Sequence, residues 1–189
     1  RRTMASETSN VNEAGVATKY QPGPEYRVRA GLDRPFGSGR MGFGLTYSKF
    51  GDDKSNAATF NTGDRFITQF SANNSLNENV DYSLVVWDLF RTSGTLINNA
   101  ASPSGNITNA TLAFGLRTGG VGIEPSIESR LWTQEGSGTS WLGTFGVRFF
   151  VDRGNYAIVP GFGFSLGTMD SATLNGYRAT LGIRYGGGR

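Results

Sequence analysis

At 189 residues, 37% of them hydrophobic, and with a mean hydropathy of −0.32, the chain suits one domain and holds no apolar run long enough for a transmembrane helix. Its 28 glycines and many Ser, Thr and Asn residues disfavour helix, because glycine weakens helices and no sustained helical period appears. The net charge of +3 rests on 15 Arg and 3 Lys spread singly, without the basic stripe of a nucleic-acid binder. The absence of Cys and His excludes disulfides and any Cys- or His-ligated zinc, copper or haem.

In chain order, residues 1–13 are polar and are expected to form a flexible segment. Arg1 and Arg2 run into TMASETSNVNE without the apolar stretch of a signal peptide, as expected of a processed chain. Residues 14–189 are expected to form a single β domain. Period-2 alternation predicts strands at 14–21, 24–33, 39–50, 64–74, 79–91, 108–118, 121–134, 139–151, 155–168 and 174–186. Several approach a dozen residues, longer than the usual globular strand of about five or six. A tilted strand crossing a bilayer needs about 9–11.

The connections alternate in length. DRPFGSG (33–39), NNSLN (73–77), TGG (118–120) and DRGN (152–155) fall on one side, GDDKSNAATFNTGD (51–64) and TSGTLINNAASPSGNIT (92–108) on the other. The links near 135–138 and 169–173 are short for the long-loop side. Strands running alternately down and up bring both ends of the sheet to one side only if their number is even. That favours ten with 14–21 included, or eight if the N-terminal pair is not embedded. Descending strands share an apolar–small–apolar–polar motif, as in Phe114-Gly115-Leu116-Arg117, Phe145-Gly146-Val147-Arg148 and Leu181-Gly182-Ile183-Arg184. Its repeat is one hairpin long, as an up-and-down barrel requires, and too short for a four-stranded propeller blade.

The two faces of each strand differ. In 174–186 one face carries Tyr177, Ala179, Leu181, Ile183 and Tyr185, the other Gly176, Arg178, Thr180, Gly182 and Arg184. In 39–50 Met41, Phe43, Leu45 and Tyr47 oppose Arg40, Gly42, Gly44, Thr46 and Ser48. A water-facing strand seldom carries so much glycine, because glycine weakens strands. Glycines lining a narrow lumen leave room for long arginines instead. Aromatics such as Tyr26, Tyr47, Trp141, Tyr156 and Tyr185 stand near strand ends on the apolar face, as interfacial girdles do. Strand 79–91 departs from the pattern, with Asp88 on the apolar face and Trp87 on the other. A bulge near Val85–Trp87 is expected to repair it.

In these features residues 14–186 resemble small porin-like outer-membrane β-barrel proteins. The resemblance implies a closed, antiparallel, up-and-down transmembrane barrel in a Gram-negative bacterial outer membrane, with lipid as its surroundings. It also implies a last strand with aromatic ends, which Tyr177-Ala179-Leu181-Ile183-Tyr185 matches, here followed by GGGR. Gly143 and Pro160 on the outer face suit a flat contact with a second copy or a larger membrane complex.

This face assignment puts Arg27, Arg29, Arg40, Arg65, Arg117, Arg130, Arg148, Arg178 and Arg184 in the lumen, against Glu25, Glu124, Glu128 and Asp81. Barrel enzymes of this kind rely on a histidine base, so no enzymatic activity is expected, and no cofactor or metal. Glu124 and Glu128, a pair that could serve acid–base chemistry, are expected to act as partners of the arginines. GDDKSN (51–56) lacks the ligand spacing of a calcium loop and is expected to be solvated. Two functions fit: a structural membrane barrel or narrow anion-favouring pore, and alternatively a soluble lipocalin-like barrel binding a small apolar ligand.

Overall fold

The computed structural model describes residues 2–3, 8–11, 17–56, 58–96 and 100–185. Among them there is no helix. The strands are β1 (Arg2–Thr3), β2 (Thr8–Val11), β3 (Ala17–Gln21), β4 (Glu25–Phe36), β5 (Gly39–Phe50), β6 (Asp53–Ser55), β7 (Ala58–Phe60), β8 (Arg65–Asn77) and β9 (Val80–Arg91). There follow β10 (Gly94–Thr95), β11 (Ala101–Ser102), β12 (Gly105–Thr118), β13 (Val121–Gln134), β14 (Ser140–Arg153), β15 (Tyr156–Met169) and β16 (Ala172–Tyr185). The main sheet is antiparallel throughout, in the order β1-β4-β5-β8-β9-β12-β13-β14-β15-β16. Its nine long strands have 12 to 14 residues each.

One end of this sheet is built from two-residue turns: Gly37–Ser38, Glu78–Asn79, Gly119–Gly120 and Gly154–Asn155. Gly37, Gly119 and Gly154 have φ of 59°, 58° and 70°, the left-handed conformation that tight hairpins need. The other end carries the long connections, which are not plain loops. β3 pairs with β2 and β6, and β6 with β7, in a separate four-stranded sheet, while β10 and β11 form a small hairpin.

Two expectations need correction here. First, among the described residues the main sheet is not closed into a barrel. β16 pairs with β15 alone, and β4 carries only β1 on its far edge, with Arg2 opposite Tyr26 and Thr3 opposite Glu25. The physical reason is direction. Nine consecutive antiparallel strands leave β4 and β16 running the same way, so they cannot complete an antiparallel ladder with each other. The strand expected between them, 14–21, is present as β3 but is engaged in the small sheet. The segment 1–13 itself carries β1 and β2 among its described residues. Second, β9 has no bulge. It pairs without a break from Arg91 to Val80 with β12, and the one irregularity towards β8 lies between Ser75 and Asn77. Asp88 stays on the apolar face, where its Oδ1 accepts a 2.6 Å hydrogen bond from Thr108 Oγ1.

The sheet curls. One cavity touches Arg65 on β8, Ser140 on β14 and Asp170 beyond β15. A second touches Asp81 on β9 and Arg184 on β16. Strands about 4.8 Å apart could not share such cavities in a flat sheet. The lining side chains put the charged, glycine-rich face on the concave side.

Burial is inverted relative to a water-soluble sandwich. Phe43 and Phe145 are 52% and 51% exposed, and Leu181 and Ile183 on the free-edged β16 are 76% and 77% exposed. Buried residues include Ser48, Asn109 and Ser140 on the concave face, Ser48 and Asn109 being only 4% exposed.

Candidate functional site

Strand register places Arg27, Arg29, Arg40, Arg65, Arg117, Arg130, Arg148, Arg178 and Arg184 on the concave face together with Glu124 and Glu128. Glycines opposite the charged chains make the room. Arg148 stands opposite Gly161, where an added Cβ would lie 3.4 Å from Arg148 Cγ, and Arg178 stands opposite Gly163. Gly115 faces Asp81 in the same way.

The charges pair between neighbouring strands or along one strand. Arg40 forks onto Asp33 (3.1 Å and 3.2 Å), and Arg117 reaches Asp81 at 2.9 Å. Arg130 holds Glu128 at 2.9 Å, and the same carboxylate oxygen accepts from Asn109 Nδ2 at 2.8 Å. Arg148 Nε donates to Glu124 at 3.0 Å. Arg27 donates to Glu25 and Ser48. All these pairs are partly exposed, so each adds little stability by itself. They do fix where the guanidinium groups lie. Both candidate acid–base carboxylates, Glu124 and Glu128, are thereby engaged by arginine.

Five concave-face arginines, Arg29, Arg65, Arg91, Arg178 and Arg184, have no carboxylate within 4.0 Å among the described residues. Positive charge is in excess on this face. Arg91 and Asp33 belong to it but were missed by the sequence reading. The supposed bulge took Arg91 out of register, and Asp33 was assigned to a turn that the strands in fact run through. Plain alternation continued from Trp87 and from Arg29 finds both.

Asp52 and Asp53 are not a free loop pair. Asp53 accepts from Tyr20 Oη at 3.0 Å and from the Gly23 amide at 2.6 Å, and Asp52 accepts from Asn61 Nδ2 at 2.9 Å. They hold the small sheet together. Among the described residues, no three acidic side chains converge as a metal site would require. The two concave cavities measure about 430 Å³ at the long-loop end and about 740 Å³ at the turn end. No protein-family model, curated protein or solved structure matches the chain.

Proposed function

We propose that the chain forms the wall of a bacterial outer-membrane β-barrel that is a structural membrane protein or a narrow, anion-favouring pore. The observation that carries this reading is the inverted polarity of the curled sheet: an exposed apolar convex face and a concave face rich in arginine, glycine and hydroxyl side chains, with an apolar row at Ile67, Leu89, Ile107 and Trp132. Lipid is the surrounding that stabilises such a convex face. The alternative, a soluble lipocalin-like barrel for an apolar ligand, calls for the reverse arrangement.

An all-antiparallel closure needs one strand antiparallel to both β4 and β16. β1 lies antiparallel to β4 on its far edge for two residues, against Tyr26 and Glu25. Closure is obligatory in a bilayer, because each orphan backbone group on a free edge costs several kcal/mol in hydrocarbon. A bore with unpaired guanidinium groups concentrates anions and repels cations. Glu124 and Glu128 are engaged by arginine and the chain has no histidine or cysteine, so hydrolysis forms no part of this reading.

The test is reconstitution. The chain should fractionate with membranes, require detergent for release, and conduct weakly in planar bilayers with a reversal potential that favours anions. Full extraction by salt alone overturns the membrane reading. Cation selectivity overturns the pore reading. Lipid or peptide hydrolysis that disappears on Glu124→Gln or Glu128→Gln overturns the non-enzymatic one.

A further inference from the structure

The cavity at the long-loop end has a two-part lining that charge pairing does not explain. Arg65 and Arg91 stand directly opposite each other on neighbouring strands, and Arg91 is followed across the row by Gly105 and Gln134. Like charges facing each other in a ladder are destabilising without a counter-charge. Neither guanidinium has an ion pair among the described residues. Arg91 gives one nitrogen to the Pro103 carbonyl at 3.1 Å, and Arg65 lies 4.9 Å from the centre of the Phe50 ring. The next concave-face row is apolar across four strands: Ile67, Leu89, Ile107 and Trp132. Leu89, Ile107 and Trp132 line the same cavity as the two arginines.

The nearby acids offset the pair only in part. Glu25 lies within electrostatic reach of Arg65 but accepts its hydrogen bonds from Arg27, and Asp170 lines the cavity away from the two arginines, beyond β15. A volume of about 430 Å³ lies in the range of small-molecule sites.

We propose that this cavity binds a small organic carboxylate. The carboxylate group is shared by Arg65 and Arg91, and the apolar body rests on Leu89, Ile107 and Trp132. Two guanidinium forks meeting one anion relieve the like-charge opposition, and the apolar row distinguishes such a ligand from a bare inorganic ion. The site needs only the curled sheet, not a bilayer, so its failure and the failure of the membrane reading are separable.

The experiment is equilibrium binding of benzoate to the full chain in detergent micelles, with benzyl alcohol and inorganic phosphate as comparators. Benzoate should bind, the alcohol should not, and phosphate should bind more weakly than benzoate. Arg65→Gln and Arg91→Gln should each weaken benzoate about tenfold or more, the loss expected for a charged hydrogen bond. Trp132→Ala should weaken benzoate and leave phosphate unchanged. Arg184→Gln, at the opposite end of the sheet, should change neither. Arg91→Lys, which keeps the charge and loses the fork, should fall between native and Arg91→Gln. The three native-chain titrations decide the matter even where a variant does not fold. Absence of benzoate binding, equal binding of the alcohol, or tighter binding of phosphate overturns the proposal. Benzoate affinity that survives the Arg65→Gln/Arg91→Gln double variant overturns it too.

Discussion

Phe145→Arg separates a lipid-facing convex surface from a water-facing one. Phe145 is half exposed on β14 and stands in register with Ile127 and Phe164. β14 has 14 residues, about 46 Å of strand at about 3.3 Å per residue, and a tilt of about 45° projects this onto roughly 33 Å. That matches a hydrocarbon core of about 30 Å. In a bilayer, Phe145, five residues into the strand, would lie about 12 Å below its upper end on this geometry, close to the midplane. Arginine at such depth costs about 2–4 kcal/mol, or roughly thirtyfold to nine-hundredfold in the folding equilibrium. On a hydrated surface the same change stays within about 0.5 kcal/mol. Reversible urea unfolding in lipid vesicles reads the difference. Gln69→Arg, at similar depth on the exposed concave face, serves as the control and should cost much less than Phe145→Arg. Equal costs at the two sites, or a cost at Phe145 below about 1 kcal/mol, would refute the reasoning.

Gly161→Leu should lower stability by about 1–3 kcal/mol in denaturant unfolding, since its Cβ would sit 2.7 Å from Thr180 Oγ1 and crowd Arg148. Gly176→Leu, with open space around the Cβ, should cost clearly less. Gly37→Ala should cost about 1–2 kcal/mol because of its φ of 59°, and more if the Asn74 side chain cannot move away from the new methyl. In the small sheet, burial and then the Asp53 carboxylate raise the Tyr20 phenol above its ordinary 10.0. The neutral phenol is the favoured form there, so the contact contributes at pH below 10 and is lost as pH rises through the raised value. Proteolysis of the 51–64 segment should therefore accelerate in the alkaline range in the native chain and be fast already at neutral pH in Tyr20→Phe. A flat native profile would refute the coupling.

The long strands were legible because alternation is a local property. Phe43, Leu45 and Tyr47, or Leu181, Ile183 and Tyr185, declare both the strand and its face without any knowledge of its neighbours. Strand ends were less legible. Asn73–Asn77 and Gly105–Ile107 belong to ladders held by backbone hydrogen bonds, which place no demand on side-chain polarity. Pairing partners were illegible for the same reason: residues 17–21 alternate as a main-sheet strand would, and nothing in them distinguishes β6 from β4 as a neighbour. At the candidate site, parity alone placed the arginines. The error at Arg91 came from mistrusting Asp88, whose place on the apolar face is made tolerable by Thr108, 20 residues further along the chain.

The four tight turns have a further consequence for a sheet that crosses a bilayer. Gly37–Ser38, Glu78–Asn79, Gly119–Gly120 and Gly154–Asn155 hold a single ionisable side chain, that of Glu78. The opposite end bears a second sheet, with Lys19, Asp52, Asp53 and Lys54 among its charges. If the proposed membrane reading holds, only the slim end would be drawn through hydrocarbon, while the bulky end would stay where it starts. The sheet would then have a leading rim and a trailing rim, its orientation set by the shape of its hairpins before any side chain meets a headgroup.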